Sequence, residues 1–273
     1  MPELPCHGAV LHYEQVGEGP DIVWLASGDM PGSSWWAFQI PYFEDSFRNT
    51  TYDARGVGQT TCLTPPPWSM KEYAADCAAL IEARCNPPVA LVGLSMGSLI
   101  AQQVSLDRPE LVRCAILMGT AARSTGFLHD WMGAEIALHR EGGQLSEAFA
   151  TTHYAAFYYP SEVLGDDELW SKLRPYLASN YERRDGTLLA AQWQACQEFD
   201  SLERLPHCDV PLHVFAFSHD VQTPPARGRL VADTAGNGHF HLFEGLGHGS
   251  IFGHKPDVVN AAIRSVIDPY ITG

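Results

Sequence analysis

The chain has 273 residues, 45% of them hydrophobic, seven cysteines and a formal net charge of −15. That length and apolar content suit one large α/β domain, with or without an insertion. The acidic balance excludes the usual signatures of a nucleic-acid or membrane-surface protein, and no apolar run reaches the roughly 18 residues of a spanning helix.

The opening "MPELPCHGAVLHYEQVG" lacks a basic start followed by an apolar core, so the expectation is a cytoplasmic protein without a signal peptide. The cysteines are scattered at positions 6, 62, 77, 85, 114, 196 and 208. None form the close pairs of a metal site, and reduced, mostly buried thiols are expected.

Along the chain, "AVLHYEQVG" alternates as a strand does, and "DIVWLA" reads as a short buried strand. "SGDMPGSSWW" is a loop. "AFQIPYFEDSFR" is a helix interrupted at Pro41, and "NTTYDARGVGQT" a strand running into a glycine-punctuated loop. Ser69 with Glu72 forms a capping box that opens the helix "MKEYAADCAALIEARC". "PVALVGL", a serine turn, the helix "GSLIAQQVSLD" and the strand "RCAILMGT" follow. This alternation predicts a parallel sheet with helices on both faces.

From Ala121 to Pro206 the strand rhythm stops. Helices are expected in "DWMGAEIALHREG", "GQLSEAFATTHYAAFYY", "DDELWSKLRPYLASN" and "GTLLAAQWQACQEFDSLERL". Strand and helix resume with "PLHVFAF", "PPARGRLVADTAG", "HFHLFEGLG" and "KPDVVNAAIRSVIDPYI". The reading is a core domain of residues 1–120 and 207–273 with a helical cap inserted at 121–206.

"GLSMG", residues 93 to 97, places Ser95 between two glycines, after an apolar strand and before a helix. Either this is a connecting turn, or the turn presents Ser95 as a nucleophile. A serine hydroxyl needs a base, and the base needs an orienting acid. His248 lies just past the last apolar strand, and Asp220 just past the strand before it. Loops at the carboxyl ends of parallel strands share one edge, so the three can meet there. The rivals are Asp200, Asp209 and Asp233 for the acid, and His239, His241 and His254 for the base. His239 and His241 share a strand face as a metal pair could, but no third ligand is spaced to join them, so no metal is expected. "DARGVG" lacks the spacing of a dinucleotide fingerprint, and no cofactor is expected.

With "YDARGVGQT", "SHDVQTPP" and "GLGH" in order around "GLSMG", the chain resembles the α/β-hydrolase superfamily over nearly its whole length. Within it, the small capped esterase, enol-lactonase and methylesterase-like members are the most similar. The resemblance implies a mostly parallel eight-stranded sheet flanked by helices, with a helical cap. It implies a serine hydrolase acting on a small ester or lactone, with Ser95, Asp220 and His248 as triad. It assigns structural roles to Asp53 and Arg55, bracing nearby loops.

The resemblance also implies an oxyanion hole from the N–H of Met96 and a second donor in the loop after "DIVWLA". There the family's usual His-Gly is replaced by Ser27-Gly28, then Asp29. Asp29 N–H is the expected donor, or Met30 N–H if the loop is one residue longer. An inward Asp29 carboxylate would disfavour anionic substrates. Gly28 and Trp193 are expected at the substrate, Trp193 through the likeness of "QWQACQEFD" to the last cap helix. The expected partner is a small molecule, neither nucleic acid nor membrane, and the oligomeric state is open. Two other classes also stay open: a lyase, cyclase or cofactor-free oxygenase on this fold, and a binding protein that kept the triad as a pocket lining.

Overall fold

The computed structural model describes residues 2–179 and 185–271. The chain opens with β1 (Glu3–Cys6), β2 (Ala9–Val16), β3 (Asp21–Leu25), α1 (Ile40–Phe43), β4 (Arg48–Tyr52) and β5 (Thr61–Cys62). Then come α2 (Met70–Arg84), β6 (Val89–Leu94), α3 (Met96–Asp107) and β7 (Val112–Met118). Helices α4 (Phe127–Arg140), α5 (Glu147–Tyr158), α6 (Ser161–Leu164), α7 (Asp167–Ser179) and α8 (Gly186–Glu198) follow. The chain closes with β8 (Leu212–Phe217), α9 (Pro225–Thr234), β9 (Gly238–Phe243) and α10 (Pro256–Ile271).

The sheet runs β1-β2-β4-β3-β6-β7-β8-β9, with the two-residue β5 paired to β2. From β4 to β9 every pairing is parallel, and the pairs that involve β2 are antiparallel. The sheet is thus the expected mostly parallel one with a ninth, minimal strand added. β1 and β5 are too short and too exposed to leave a hydrophobic period in the sequence.

The central strands read as unbroken apolar runs because both faces are covered. In β3, Val23 and Leu25 join the core beneath α2 and α3, while Ile22 and Trp24 join the core beneath α10. In β6, Val89 and Leu91 point one way and Ala90, Val92 and Leu94 the other. The expected capping box holds α2, with Ser69 N–H donating to Glu72 Oε2 at 2.7 Å. The helix expected over 37–48 shrinks to the four residues of α1, because Pro41 suits the first turn of a helix and not its interior.

After β7 the next strand begins at Leu212, and the elements described between them are helices. α4 begins three residues ahead of the sequence expectation, at Phe127. α5 begins at Glu147, four residues later than expected, where the Ser146 side chain accepts from Phe149 N–H. Asn180 and Tyr181 lie outside the described residues. α4 and α8 pack together, with Trp131 edge-on to Trp193 at a ring distance of 5.0 Å.

Candidate active site

The two glycines around Ser95 are required by close approach. A Cβ on Gly93 would lie 2.4 Å from the Gly97 carbonyl oxygen, and one on Gly97 would lie 2.1 Å from the Leu25 oxygen. The backbone can therefore turn from β6 into α3 within one residue. Ser95 holds that turn at φ 54°, ψ −119°, a strained conformation for a residue with a side chain. Its N–H donates to Met118 O at 2.9 Å, fixing the turn against the end of β7.

Asp220 and His248 follow β8 and β9 and are almost wholly buried, 3% and 2% exposed. His248 Nδ1 lies 2.6 Å from Asp220 Oδ2. Three more donors hold that carboxylate: the N–H groups of Gln222 and Thr223 on Oδ1, at 2.9 and 2.8 Å, and the Thr223 hydroxyl on Oδ2 at 2.7 Å. With Oδ2 accepting Nδ1–H, the other ring nitrogen, Nε2, is left as the proton acceptor. Nε2 is buried without a hydrogen-bond partner. The structure therefore brings Asp220 and His248 together and leaves the Ser95–His248 bond unmade. Both neighbour the end of β7: Ser95 N–H is tied to Met118 O, and a Cβ on the next residue, Gly119, would fall 2.7 Å from His248 Cε1.

The rivals sit elsewhere. Asp200 caps the start of the turn after α8 through Leu202 N–H, and Asp209 precedes β8 at its far end. Asp233 lies on α9. His239 stacks on His213 at 4.5 Å, and His241 Nε2 lies 3.2 Å from His213 Nδ1. His213 Nε2 in turn meets the Tyr270 hydroxyl at 2.9 Å, so these histidines pack as an edge cluster on β8 and β9. Burial pulls the His213 pKa down from 6.5 to about 4. His254 is half-buried, bonded to Ser250 Oγ at 3.1 Å, rather than a surface residue. Among the described residues no group of three or more His, Cys, Asp or Glu is placed to hold a metal.

"DARGVG" braces neighbouring loops. Asp53 accepts from Gly32 N–H at 2.8 Å and Gln59 N–H at 2.7 Å. Arg55 forms a buried two-point pair with Asp76, at 2.6 and 2.8 Å, and also donates to His7 O.

Two cavities open beside His248 and Ser95. The larger, about 130 Å³, is walled by Asp29, Tyr154, Tyr158, His248 and Phe252 among others. The smaller, about 30 Å³, is walled by Gly28, Ser95, Met96, Trp131, Trp193 and Phe199 among others. Gly28 and Trp193 thus share one wall with Ser95. The helical segment supplies much of both linings, and it is anchored on the His248 loop. Gly249 N–H donates to Tyr158 O at 2.9 Å, and the Tyr158 ring lies nearly parallel to the His248 ring.

Met96 N–H opens α3, where no carbonyl of the preceding turn can take it. The expected second donor is turned elsewhere. Asp29 has φ 68°, and its N–H donates to the Gln192 side chain, Oε1, at 2.8 Å. Met30 N–H closes a turn on Ser27 O at 3.2 Å. Both candidate donors of this loop are engaged inside the protein, because the left-handed residue 29 folds the loop back on itself. Thr223 and Gln192 were not singled out in the sequence. Thr223 lies inside "SHDVQTPP", and its role follows from being three residues after the acid. Gln192 left no signal beyond its place next to Trp193.

The α/β-hydrolase resemblance is supported by comparison with known proteins. A family model described as "Alpha/beta hydrolase family" matches residues 6–262. The chain is 31% identical over 256 residues to the Mycobacterium tuberculosis protein named "Putative non-heme bromoperoxidase BpoC", covering 93% of this chain and 95% of that one. A crystal structure of that protein superposes with a TM-score of 0.89, covering 95% of this chain and 96% of the other at 29% identity. The chain is 26% identical over 266 residues to 3-oxoadipate enol-lactonase 2 of Acinetobacter baylyi, covering 97% of this chain and 95% of that one.

Proposed function

The chain belongs to the alpha/beta hydrolase family, and from that premise we propose that it is a serine hydrolase of a small, largely hydrophobic carboxylic ester or lactone. The observation that carries this reading is the buried Asp220–His248 pair, with Nε2 unpartnered, where His248 lines the larger cavity and the strained Ser95 turn lines the smaller. The name of the enol-lactonase relative supports the same chemistry.

In the proposed mechanism Ser95 Oγ attacks the substrate carbonyl while His248 Nε2 takes its proton. Asp220 holds the imidazole in the tautomer that accepts at Nε2 and stabilises the imidazolium that forms. Negative charge gathers on the carbonyl oxygen, where Met96 N–H donates. Collapse expels the alcohol, which takes the proton from His248 and leaves Ser95 acylated. Water then attacks the acyl group as His248 takes its proton, and collapse releases the acid while His248 returns that proton to Ser95 Oγ. The two cavities divide the ester between them: the smaller takes a compact apolar group, and the larger takes the bulkier side. The helices between β7 and β8 serve as the cap that sets substrate size. The seven thiols take no part, and the protein works in the cytoplasm without metal or cofactor.

The deciding experiment is a panel of esters and lactones against wild type and Ser95→Ala. The variant is expected to lose at least three orders of magnitude in kcat while keeping its melting temperature. Retention of more than about a tenth of wild-type kcat on the best substrate overturns the nucleophile assignment.

A further inference from the structure

The Gln192 side chain is 2% exposed and held at both ends. Its Oε1 accepts from Asp29 N–H at 2.8 Å, and its Nε2 donates to Arg55 O at 2.6 Å. These partners fix the amide's orientation, because a backbone N–H requires an acceptor and a backbone carbonyl requires a donor. Arg55 is itself immobilised by its buried pair with Asp76. The amide cannot swing aside while α8 stays where it is.

The direction of this bond matters. Asp29 follows β3, Arg55 follows β4 and Ser95 follows β6, and the sheet order is β4-β3-β6. Gln192 bridges the β3 and β4 loops and takes the Asp29 N–H without lining the Ser95 cavity. The peptide before Asp29 carries a glycine, Gly28, which walls the Ser95 cavity with Met96. Flanked by glycine on one side and a left-handed residue on the other, this peptide is able to rotate.

We propose that Gln192 is a positioning residue that withholds the second oxyanion donor in the resting enzyme, and that a shift of α8 releases it. This rests on the serine-hydrolase reading and adds a coupling between cap and oxyanion hole. The physical reason is differential binding. An N–H bonded to Gln192 in the free enzyme and to the oxyanion in the transition state contributes only the difference between the two bonds. Removing the ground-state bond therefore speeds acylation, whereas removing an ordinary structural contact slows it or leaves it alone.

The test uses a fluorophosphonate and a p-nitrophenyl ester on the full chain. Gln192→Leu removes the acceptor at nearly constant volume. It is expected to raise both the inactivation rate constant and kcat about fivefold, the worth of one neutral hydrogen bond, with KM within twofold and a lower melting temperature. Gln192→Glu keeps an acceptor against Asp29 and is expected to stay at or below the wild-type rate. A folded Gln192→Leu enzyme no faster than wild type overturns the proposal. A crystal structure of phosphonylated wild type needs no variant. Asp29 N–H on the phosphonyl oxygen supports the proposal, and Asp29 N–H still on Gln192 overturns it. Wild type that is never phosphonylated at Ser95 removes the serine-hydrolase reading and this proposal with it, whereas phosphonylation with the Gln192 bond intact removes this proposal alone.

Discussion

Gly119→Ala is expected to lower kcat about 100-fold from a position that carries no side chain. Gly119 sits at φ 55° just past β7, and a Cβ there would lie 2.7 Å from His248 Cε1 and 2.9 Å from Nδ1. Neither contact is tolerable for carbon, so something must move by nearly 1 Å. The ring is the part able to yield, because Gly119 is pinned through its N–H to Phe215 O at 3.2 Å. Moving Nδ1 breaks the 2.6 Å bond to Asp220 and turns Nε2 away from Ser95. A 1 Å displacement of a reacting group costs about 10²-fold in rate. The left-handed backbone adds about 1–2 kcal/mol for alanine, and overpacking about 1–3 kcal/mol more. At 273 residues that sum lowers the melting temperature by roughly 5–15 °C. The assay is kcat on the best ester alongside thermal unfolding by circular dichroism. A variant that keeps a third of wild-type kcat would refute the argument, since His248 would then have room the structure denies it.

Three further outcomes are expected. Asp220→Asn should cost about 10⁴ in kcat, through loss of the tautomer that accepts at Nε2. Thr223→Val, which removes only one donor to the same carboxylate, should cost about tenfold, and equal losses in the two would show that packing rather than proton placement is being read. For His213, burial lowers the folded pKa from 6.5 to about 4. Its neutral form therefore contributes stability that is complete above pH 6.5 and lost as pH falls toward 4, at most about 3 kcal/mol. His213→Leu should flatten the acid limb of a urea-unfolding profile over that window, and an unchanged slope there would remove the linkage. Asp29 walls the larger cavity, so Asp29→Asn should raise kcat/KM for a carboxylate-bearing ester relative to its neutral match by several-fold at low salt. An unaltered ratio would mean that its charge does not reach the substrate.

The central fold was legible because its strands are buried on both faces and stand out as apolar runs between helices. Ser95, Asp220 and His248 were legible as candidates for a related reason. Chain order and strand ends alone bring them to one edge, so no side-chain geometry was needed to nominate them. What escaped depended on contacts between segments distant in sequence. Asp29 and Gln192 are 163 residues apart, and no local pattern marks a glutamine that will meet one particular backbone N–H. The loop "SGDM" shows the difference well. Its composition was enough to suggest a backbone donor near the nucleophile. Its φ of 68° at Asp29, and therefore the direction of that donor, is decided by what the helix above it offers. A motif names the groups available for chemistry, while the packing of the inserted helices decides which of them face the substrate. On the proposed reading, a change in the helices between β7 and β8 would alter the second oxyanion donor without altering Ser95, Asp220 or His248.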